Sequence, residues 1–272
     1  MNKVNTLNKF DLKIYSYSNT TNMHLLNKVY HSRLTLREIL SNEWDTSVIQ
    51  DVSLSELEEM YNHKSDSLLE SGCNFSLSHK KIPSHKLHVI YYNFPDLHLT
   101  GTKINKTCCD KLTVMYKKDG FEDDTSVFEK EDSLLVIINE AVSENISKNV
   151  EIMYSSGLEE LKNGLSESIQ KEMKQSKFEM NLNYFRNVHI FSVDTLVRNL
   201  LNHSLVPKHT PIRDTKEIQK ILKNTNALIH QLPVILRTDP IAKLIRLCPG
   251  NICKIERTSN KSGETIYYRV CK

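Results

Sequence analysis

The sequence predicts an α+β protein with two domains: an N-terminal domain with a mixed sheet flanked by helices, and a small C-terminal α/β domain. Apolar residues recur at helical spacing in some segments and form short continuous runs in others. The 272 residues are enough for two hydrophobic cores. From Leu205 to Lys272 there are 13 Lys and Arg against 5 Asp and Glu, whereas acidic residues outnumber basic ones before Leu205. This change of sign favours a domain boundary.

We therefore divide the chain into a flexible tail at 1–20, an N-terminal domain at 21–200 and a C-terminal domain at 201–272. The tail is assigned because it is polar and rich in Asn. With 39% hydrophobic and 25% charged residues, the composition is that of a soluble globular protein. No apolar run approaches the roughly 18–20 residues of a membrane span, and the start lacks the apolar segment of a secretory signal. We expect no membrane partner and a reducing compartment.

The N-terminal domain should contain three helices. One covers about 22–42, where apolar residues recur at 3.6-residue spacing. A second begins at Ser53, because Ser53 and Glu56 form a capping box. A third, amphipathic helix covers 158–173. The polar residues 62–85 are predicted to form a loop.

Short apolar runs predict the strands of this domain. The segments that read as strands or extended chain are Leu87–Tyr92, Leu112–Lys117, Leu134–Asn139, Val188–Phe191 and Thr195–Leu200. The run from Leu134 is apolar at every position except its last, which predicts the central strand of the sheet. The acidic segment 117–132 before it is predicted to be a surface excursion.

No constellation of residues predicts catalysis or metal binding. The residue sets that could suggest such chemistry are the histidines His79, His85, His88 and His98, the cysteines Cys248, Cys253 and Cys271, and the pairs Glu160/Lys162 and Glu172/Lys174. The histidines have no metalloenzyme spacing and read as solvated loop residues, and the cysteines read as free thiols. The Glu-x-Lys pairs mimic part of a nuclease site, but residues two apart on a helix do not converge, so they read as solvated charges. We expect no cofactor.

The C-terminal domain has dense local signals. Asp214 caps a helix that holds Ile218 and Ile221, and Asp239 with Pro240 opens a short helix. The pair Pro249-Gly250 predicts a turn. Two alternating runs, Asn251–Arg257 and Thr265–Cys271, predict strands that are joined by a turn at Gly263.

These signals occur in a characteristic string of short motifs. It contains LVPKH at 205–209, QLPxI at 231–235, DPxA at 239–242 and PGxxxKIxR at 249–257, followed by Ser259, Gly263, Tyr268 and Arg269. From Thr195 to Arg269 the string resembles the fifth, shared subunit of eukaryotic nuclear RNA polymerases, whose matching domain occurs alone in archaea as a separate polymerase subunit. Residues 22–194 resemble the jaw domain of the eukaryotic subunit only in the order of helices and strands.

The resemblance implies a non-catalytic role in transcription. The C-terminal domain would dock on the largest polymerase subunit and seat neighbouring small subunits, and the jaw would lie beside downstream duplex DNA, contacting phosphates independently of sequence. The docking motif would consist of Pro207, His209, Gln231, Leu232, Pro233, Asp239, Pro240, Ala242, Gly250, Arg257, Gly263, Tyr268 and Arg269.

Several of these residues also have a purely local interpretation. Pro207 and Pro233 would shape turns, and Asp239 would serve as an N-cap. His209 and Gln231 would make either a buried hydrogen bond or an interface contact. Arg257 and Arg269 would form either a shared basic edge or a solvated sheet face. Of Tyr267 and Tyr268, one should pack inward and the other face out.

Departures from the family suggest a divergent member. Arg246 replaces the usual Gly at the end of the Asp239 helix, which predicts a different helix ending or strain. Cys253 replaces a Val, residues 260–262 differ, and the jaw is longer. The divergence favours a viral or protist polymerase, so we expect the nucleus for a cellular protein, and the host cytoplasm (viral factory) and virion for a viral one. A free-standing DNA-binding transcription factor and a diverged nuclease are the alternatives.

Overall fold

The computed structural model describes residues 9–63, 72–92, 94, 106–116, 127–259 and 263–272. The helices in these ranges are α1 (Lys9–Leu40), α2 (Leu54–Asn62), α3 (Lys106–Val114), α4 (Glu144–Glu160), α5 (Glu167–Ser176), α6 (Val193–Leu196), α7 (Thr215–Asn224) and α8 (Pro240–Leu244). The strands are β1 (Phe75–Ser78), β2 (Lys86–Tyr92), β3 (Ser133–Ile138), β4 (Val188–Ser192), β5 (Lys208–Ile212), β6 (Val234–Ile235), β7 (Ile252–Ser259) and β8 (Gly263–Cys271). The α+β class predicted from the sequence is confirmed.

The N-terminal sheet is mixed, with strand order β1-β2-β3-β4. β1 and β2 are antiparallel, whereas β2, β3 and β4 are parallel. All six residues of β3 are buried, as expected for an inner strand apolar on both faces. The prediction that this run forms a central strand is confirmed.

Helices cover both faces of this sheet. Leu135 and Ile137 of β3 belong to the same core as residues of α1, α2 and α5. The alternate residues Leu134, Val136 and Ile138 pack with residues of α3 and α4. Because successive side chains of a strand point to opposite faces, the two cores lie on opposite sides of the sheet.

The C-terminal sheet has the order β5-β7-β8-β6, with one parallel pair, β6 and β8. On one face, Ile252 and Val270 pack with Ile218 and Ile221 of α7. On the other face, Cys253 and Ile255 pack with Ala242 of α8 and with the residues that follow it. The domain is therefore also an α/β layer structure, as the sequence predicts.

Partly buried polar contacts join the residues around the two sheets. Arg213, which follows β5, donates through Nε to Glu43 Oε1 over 2.9 Å, and it donates through Nη1 to Asn251 Oδ1 of its own half over 2.8 Å. Asn183 Nδ2 donates to the Pro249 carbonyl oxygen over 2.9 Å. Leu244 and Cys248 belong to the core that also contains Leu135 and Ile137. The C-terminal residues thus complete the N-terminal core.

Helix starts were predicted well because their signals are local. Ser53 caps α2 in a reciprocal capping box with Glu56. Asp214 caps α7 by accepting from the Lys216 amide. α1, in contrast, begins at Lys9 rather than near residue 22, so residues 9–20 of the predicted tail are helical; residues 1–8 lie outside the described ranges.

Two predicted strands are wrong. The first half of Leu112–Lys117 belongs to helix α3, which ends at Val114 and whose Cys109 and Leu112 pack against the sheet; Lys117 lies outside the described ranges. Thr195–Leu200 was predicted to be extended, but it contains the end of α6 and the start of a short 3-10 helix, Leu200–Asn202. Val193 and Leu196 are both fully buried, and their spacing of three residues is helical rather than that of a strand.

The predicted loop and surface segments also differ. Residues 62–85 contain β1, whose Phe75 and Leu77 point inward, while 64–71 lie outside the described ranges. The predicted helix 158–173 is interrupted, because Gly164 adopts a φ of 104° between α4 and α5. The described end of the acidic segment 117–132 is buried, with Phe128 at 0% and Asp132 at 1% exposure.

Candidate assembly interface

The start of α8 fixes one part of the predicted docking motif. Asp239 Oδ1 accepts from the Ile241 and Ala242 amides over 2.8 and 3.2 Å, and Pro240 occupies the first turn, where it needs no amide partner. Ala242 is fully buried. The N-cap interpretation of Asp239 is confirmed, and it leaves Pro240 exposed beside the cap.

The segment before β6 is held in place by hydrogen bonds that involve backbone groups. Gln231 Oε1 accepts from the Leu228 amide over 2.7 Å, and the Pro233 carbonyl oxygen accepts from the Val270 amide over 2.8 Å. Leu232 is buried in the core beneath α7. Gln231 and Pro233 themselves are exposed, so this segment presents them on the surface.

His209 on β5 is half-buried, and its Nδ1 donates to the Pro207 carbonyl oxygen over 2.6 Å. This contact fixes the orientation of the imidazole ring. The side-chain bonds of His209 and Gln231 are both local, within three residues in sequence, so neither side-chain bond connects distant parts of the fold.

The hairpin of β7 and β8 carries the two arginines of the motif. Arg257 is paired in register with Thr265, and Arg269 is paired with Cys253. The two arginines therefore lie on the same face of the hairpin but at different positions along it. The Arg257 guanidinium lies 5.9 Å from the centre of the Tyr267 ring, within cation–π range. Arg269 Nη1 donates to the Val234 carbonyl oxygen over 3.3 Å. The two side chains therefore do not form one continuous edge.

The remaining motif residues shape the same hairpin. Gly250 and Gly263 have φ values of 85° and 67°, which confirms the positive φ predicted for Gly263. Tyr268 packs partly against the core beneath α7, whereas Tyr267 is 48% exposed. The prediction that the two tyrosines face opposite ways is confirmed.

Sequence reasoning missed several exposed apolar side chains of this domain. They are Leu205, Leu228, Ile229, Val234, Leu236, Ile266 and Tyr267. Val234 and Leu236 flank the buried Ile235, so strand alternation was the signal that could have revealed them. Ile266 and Tyr267 are consecutive in β8 and therefore lie on opposite faces of the hairpin. Exposed apolar groups, with Tyr and Arg, often form contact sites for other proteins.

Three of the four histidines considered for metal binding are buried, so the prediction that these are solvated is wrong. His79, His85 and His88 are 3%, 0% and 5% exposed, and His98 lies outside the described ranges. Burial lowers the pKa of His79 to about 4 and that of His85 well below its ordinary value. His88 Nε2 lies 2.9 Å from Asp132 Oδ2. These residues are part of the core.

The other sets considered for chemistry are structural. Glu160 pairs with the buried Arg186 over 2.9 Å, and Glu172 accepts from the Ser84 amide and hydroxyl, so neither is simply solvated. Burial raises the pKa of Cys253 to about 11 and that of Cys271 to about 12, which keeps both as thiols. Within the described ranges, no three His, Cys, Asp or Glu side chains group to hold a metal ion, and no helix is long and apolar enough to span a membrane.

Comparison with known proteins assigns this C-terminal region. The family described as "RNA polymerase Rpb5, C-terminal domain" matches residues 198–271. The DNA-directed RNA polymerase subunit Rpo5 of Methanosphaera stadtmanae is 43% identical over 74 residues, which are 95% of that protein and 27% of this chain. The chain belongs to the Rpb5/Rpo5 family.

Two further Rpo5 subunits show the same pattern. That of Sulfurisphaera tokodaii is 49% identical over 67 residues, 79% of its length and 25% of this chain. That of Methanothermobacter thermautotrophicus is 41% identical over 73 residues, 94% of its length and 27% of this chain. The Rpb5 domain at 198–271 contains every residue of the predicted docking motif, together with all seven of the exposed apolar side chains named above.

Proposed function

We propose that this chain is a non-catalytic subunit of a multisubunit DNA-directed RNA polymerase. The observation that carries the proposal is the match of residues 198–271 to the Rpb5 domain, since the relatives that share it are RNA polymerase subunits. In this proposal the exposed apolar side chains and the docking motif contact the largest polymerase subunit and its small neighbours. Ile266 and Tyr267 belong to the contact, one from each face of β8, because both are large, apolar and about half exposed.

We further propose that the N-terminal domain acts as a jaw beside downstream duplex DNA. A jaw must be held at a fixed angle to the domain that docks. The partly buried contacts of Arg213 with Glu43 and of Asn183 with Pro249 support such a connection. Binding through phosphates would be independent of sequence and would weaken as salt is added.

Affinity purification of the tagged full-length chain from its native source, followed by mass spectrometry, tests the assembly role. We expect recovery of the two largest polymerase subunits in equal amounts with the chain. The substitution Ile266→Ser should reduce this recovery, because it removes an exposed apolar contact from the Rpb5 domain. Ile152→Ser is the matched control, since Ile152 is 66% exposed on α4 of the N-terminal domain.

Each result bears on the proposal directly. Loss of the polymerase subunits with Ile266→Ser but not with Ile152→Ser supports docking through the Rpb5 domain. Equal recovery with both variants contradicts the proposed surface. Recovery of the wild-type chain alone, or with DNA only, contradicts the subunit role and favours a free-standing DNA-binding transcription factor.

A further inference from the structure

A cleft of about 760 Å³ lies between the two domains. Its walls come from the end of α1 and the residues after it, from Asn199, Leu201 and Asn202, from 206–211 including Pro207 and His209, and from 244–246. Trp44 and Arg246 both belong to these walls, and they are 0% and 1% exposed. Two large side chains with polar groups are therefore buried in the wall of the cleft.

Both side chains lack acceptors for their N–H groups. Trp44 Nε1 and the Nε, Nη1 and Nη2 atoms of Arg246 make no hydrogen bond to any residue that the structure describes. Indole and guanidinium groups can only donate, and buried donors are nearly always paired. The Arg246 guanidinium lies 5.1 Å from the Trp44 ring, so these donors lie close together. A group rich in acceptors would satisfy them.

The carboxylates around the cleft are already engaged. Arg213 occupies both oxygens of Glu43, over 2.9 and 3.3 Å. Glu38, which also lines the cleft, accepts from the Asn202 side-chain amide over 2.7 Å. His79 adds no charge near neutral pH, because burial lowers its pKa to about 4. Arg246 therefore has no carboxylate of its own among these residues, and a monoanion would supply one.

The backbone of Arg246 is strained at the same place. Its φ is 53°, a left-handed conformation that costs a non-glycine residue free energy. Arg186 has a similar φ of 51° and is also buried, but its guanidinium pairs with Glu160 and with the Lys130 carbonyl oxygen. Arg246 has the same positive φ and the same burial, but its guanidinium has no hydrogen-bond acceptor among the described residues.

We propose that this junction cleft binds one carboxylate group of a partner polypeptide, with Arg246 and Trp44 as the donors. A carboxylate fits because it carries one negative charge and matches the planar fork of a guanidinium. The choice of a polypeptide rests on the proposed function, since Pro207 and His209 of the docking motif line the same cleft. Because Arg246 is almost fully buried, it meets the carboxylate after a change of side-chain rotamer, which is common where partners bind.

The isolated full-length chain tests the site without any polymerase. Its thermal midpoint is measured against sodium acetate, with sodium chloride at equal ionic strength as the reference. Acetate at ten times its dissociation constant should raise the midpoint by about 3 °C relative to chloride, since it binds the folded state. Arg246→Gly should abolish this difference. Glycine accepts a φ of 53°, so the variant relieves strain while removing the donor.

Two further variants make the result decisive. Lys177→Gly is the matched control, because Lys177 is an exposed cation with a φ of 54° and should keep the full acetate response. Arg246→Gln keeps most of the side chain without its charge, and it replaces the glycine variant if that substitution loosens the junction. An equal acetate response in all variants, or none in the wild type, would mean that water alone fills the cleft and would overturn the proposal.

Purification from the native source then tests the origin of the carboxylate. Arg246→Gly should lower recovery of the largest polymerase subunit about tenfold, whereas Lys177→Gly should leave it unchanged. Unchanged recovery with Arg246→Gly would assign the site to a free organic acid and overturn the polypeptide source. If even the wild-type chain recovers no polymerase, the proposed function fails, while the acetate experiment still decides whether the site exists.

Discussion

The inner strand of the N-terminal sheet and the outer part of the C-terminal hairpin differ in how far their apolar residues are exposed to solvent. Every residue of β3 is buried, whereas in β8 only Val270 and Cys271 are. Ile137 of β3 is 0% exposed, and Ile266 of β8 is 51% exposed. The N-terminal sheet thus has its apolar residues covered by other residues of the same chain. The C-terminal hairpin leaves some of them uncovered, as expected where a second protein packs.

The largest expected effect comes from the buried side. Ile137→Ala should lower the free energy of unfolding by about 2–5 kcal/mol, because it removes buried contacts and leaves a cavity. Ile266→Ala makes the same chemical change on the exposed hairpin and should cost much less. Urea unfolding of both variants measures the difference. Equal losses would mean that Ile266 is packed within the chain and would remove the basis for the comparison.

Acid should weaken the N-terminal core. Burial lowers the pKa of His79 from 6.5 to about 4, so below pH 6.5 the unfolded chain takes up a proton that the folded chain does not. The contribution of His79 to stability is therefore full above pH 6.5 and falls as the pH approaches 4, by up to about 3 kcal/mol. His85 acts in the same direction.

The variant His79→Asn isolates this effect. His79 Nδ1 accepts from the Lys81 and Ile82 amides, and an Asn oxygen can accept similarly without titrating. The free energy of unfolding, measured from pH 7 to pH 4, should fall less steeply in the variant. Parallel curves for the two proteins would show that the folded chain takes up the proton at His79 as readily as the unfolded chain.

A smaller effect is expected at the start of α8. Asp239→Ala should lower the free energy of unfolding by about 1 kcal/mol, because two amides lose their acceptor. Asp239→Asn, which still offers a capping oxygen, should retain most of the wild-type free energy of unfolding. If Asp239→Asn costs as much as Asp239→Ala, the charge of Asp239 matters more than its capping bond.

The smallest effect on stability is expected for Leu236→Ser. Leu236 is 60% exposed beside β6, so the free energy of unfolding should change by no more than about 0.5 kcal/mol. Thermal and urea unfolding of the variant measure this change. A clearly larger loss would show that the side chain stabilises the isolated chain and is not reserved for a partner.

The parts of the fold that the sequence predicted are those with local causes. Ser53 with Glu56, Asp214 and Asp239 mark helix starts through bonds to amides two or three residues away. The continuous apolar run at β3 needs no partner to be recognised as buried on both faces. These features follow from hydrogen bonding and burial within a few residues.

The errors arose where distant residues decide. Leu112–Lys117 contains residues with high strand propensity, yet its first three residues are helical, because Cys109 and Leu112 of α3 are buried against the sheet. The histidines lie in a polar stretch, and only the fold brings His79 and His85 beside Trp44. The unpaired donors of Arg246 and Trp44 likewise depend on the contact between the residues that follow α1 and α8. The substitution of Gly by Arg at 246 was visible, and the φ of 53° there agrees with strain, one of the two consequences it predicted.

The sharing of one core by both ends of the chain has a consequence for biosynthesis. Leu244 and Cys248 pack in the same cluster as Val29, Leu36 and residues of β3. A ribosome makes these C-terminal residues more than two hundred positions after Val29. During this interval part of the apolar surface of the nascent N-terminal domain stays uncovered. Its parallel strands, which pair over long sequence separations, lengthen that interval. Chaperones that bind exposed apolar surface on nascent chains should therefore bind the N-terminal domain before the Rpb5 domain covers that surface.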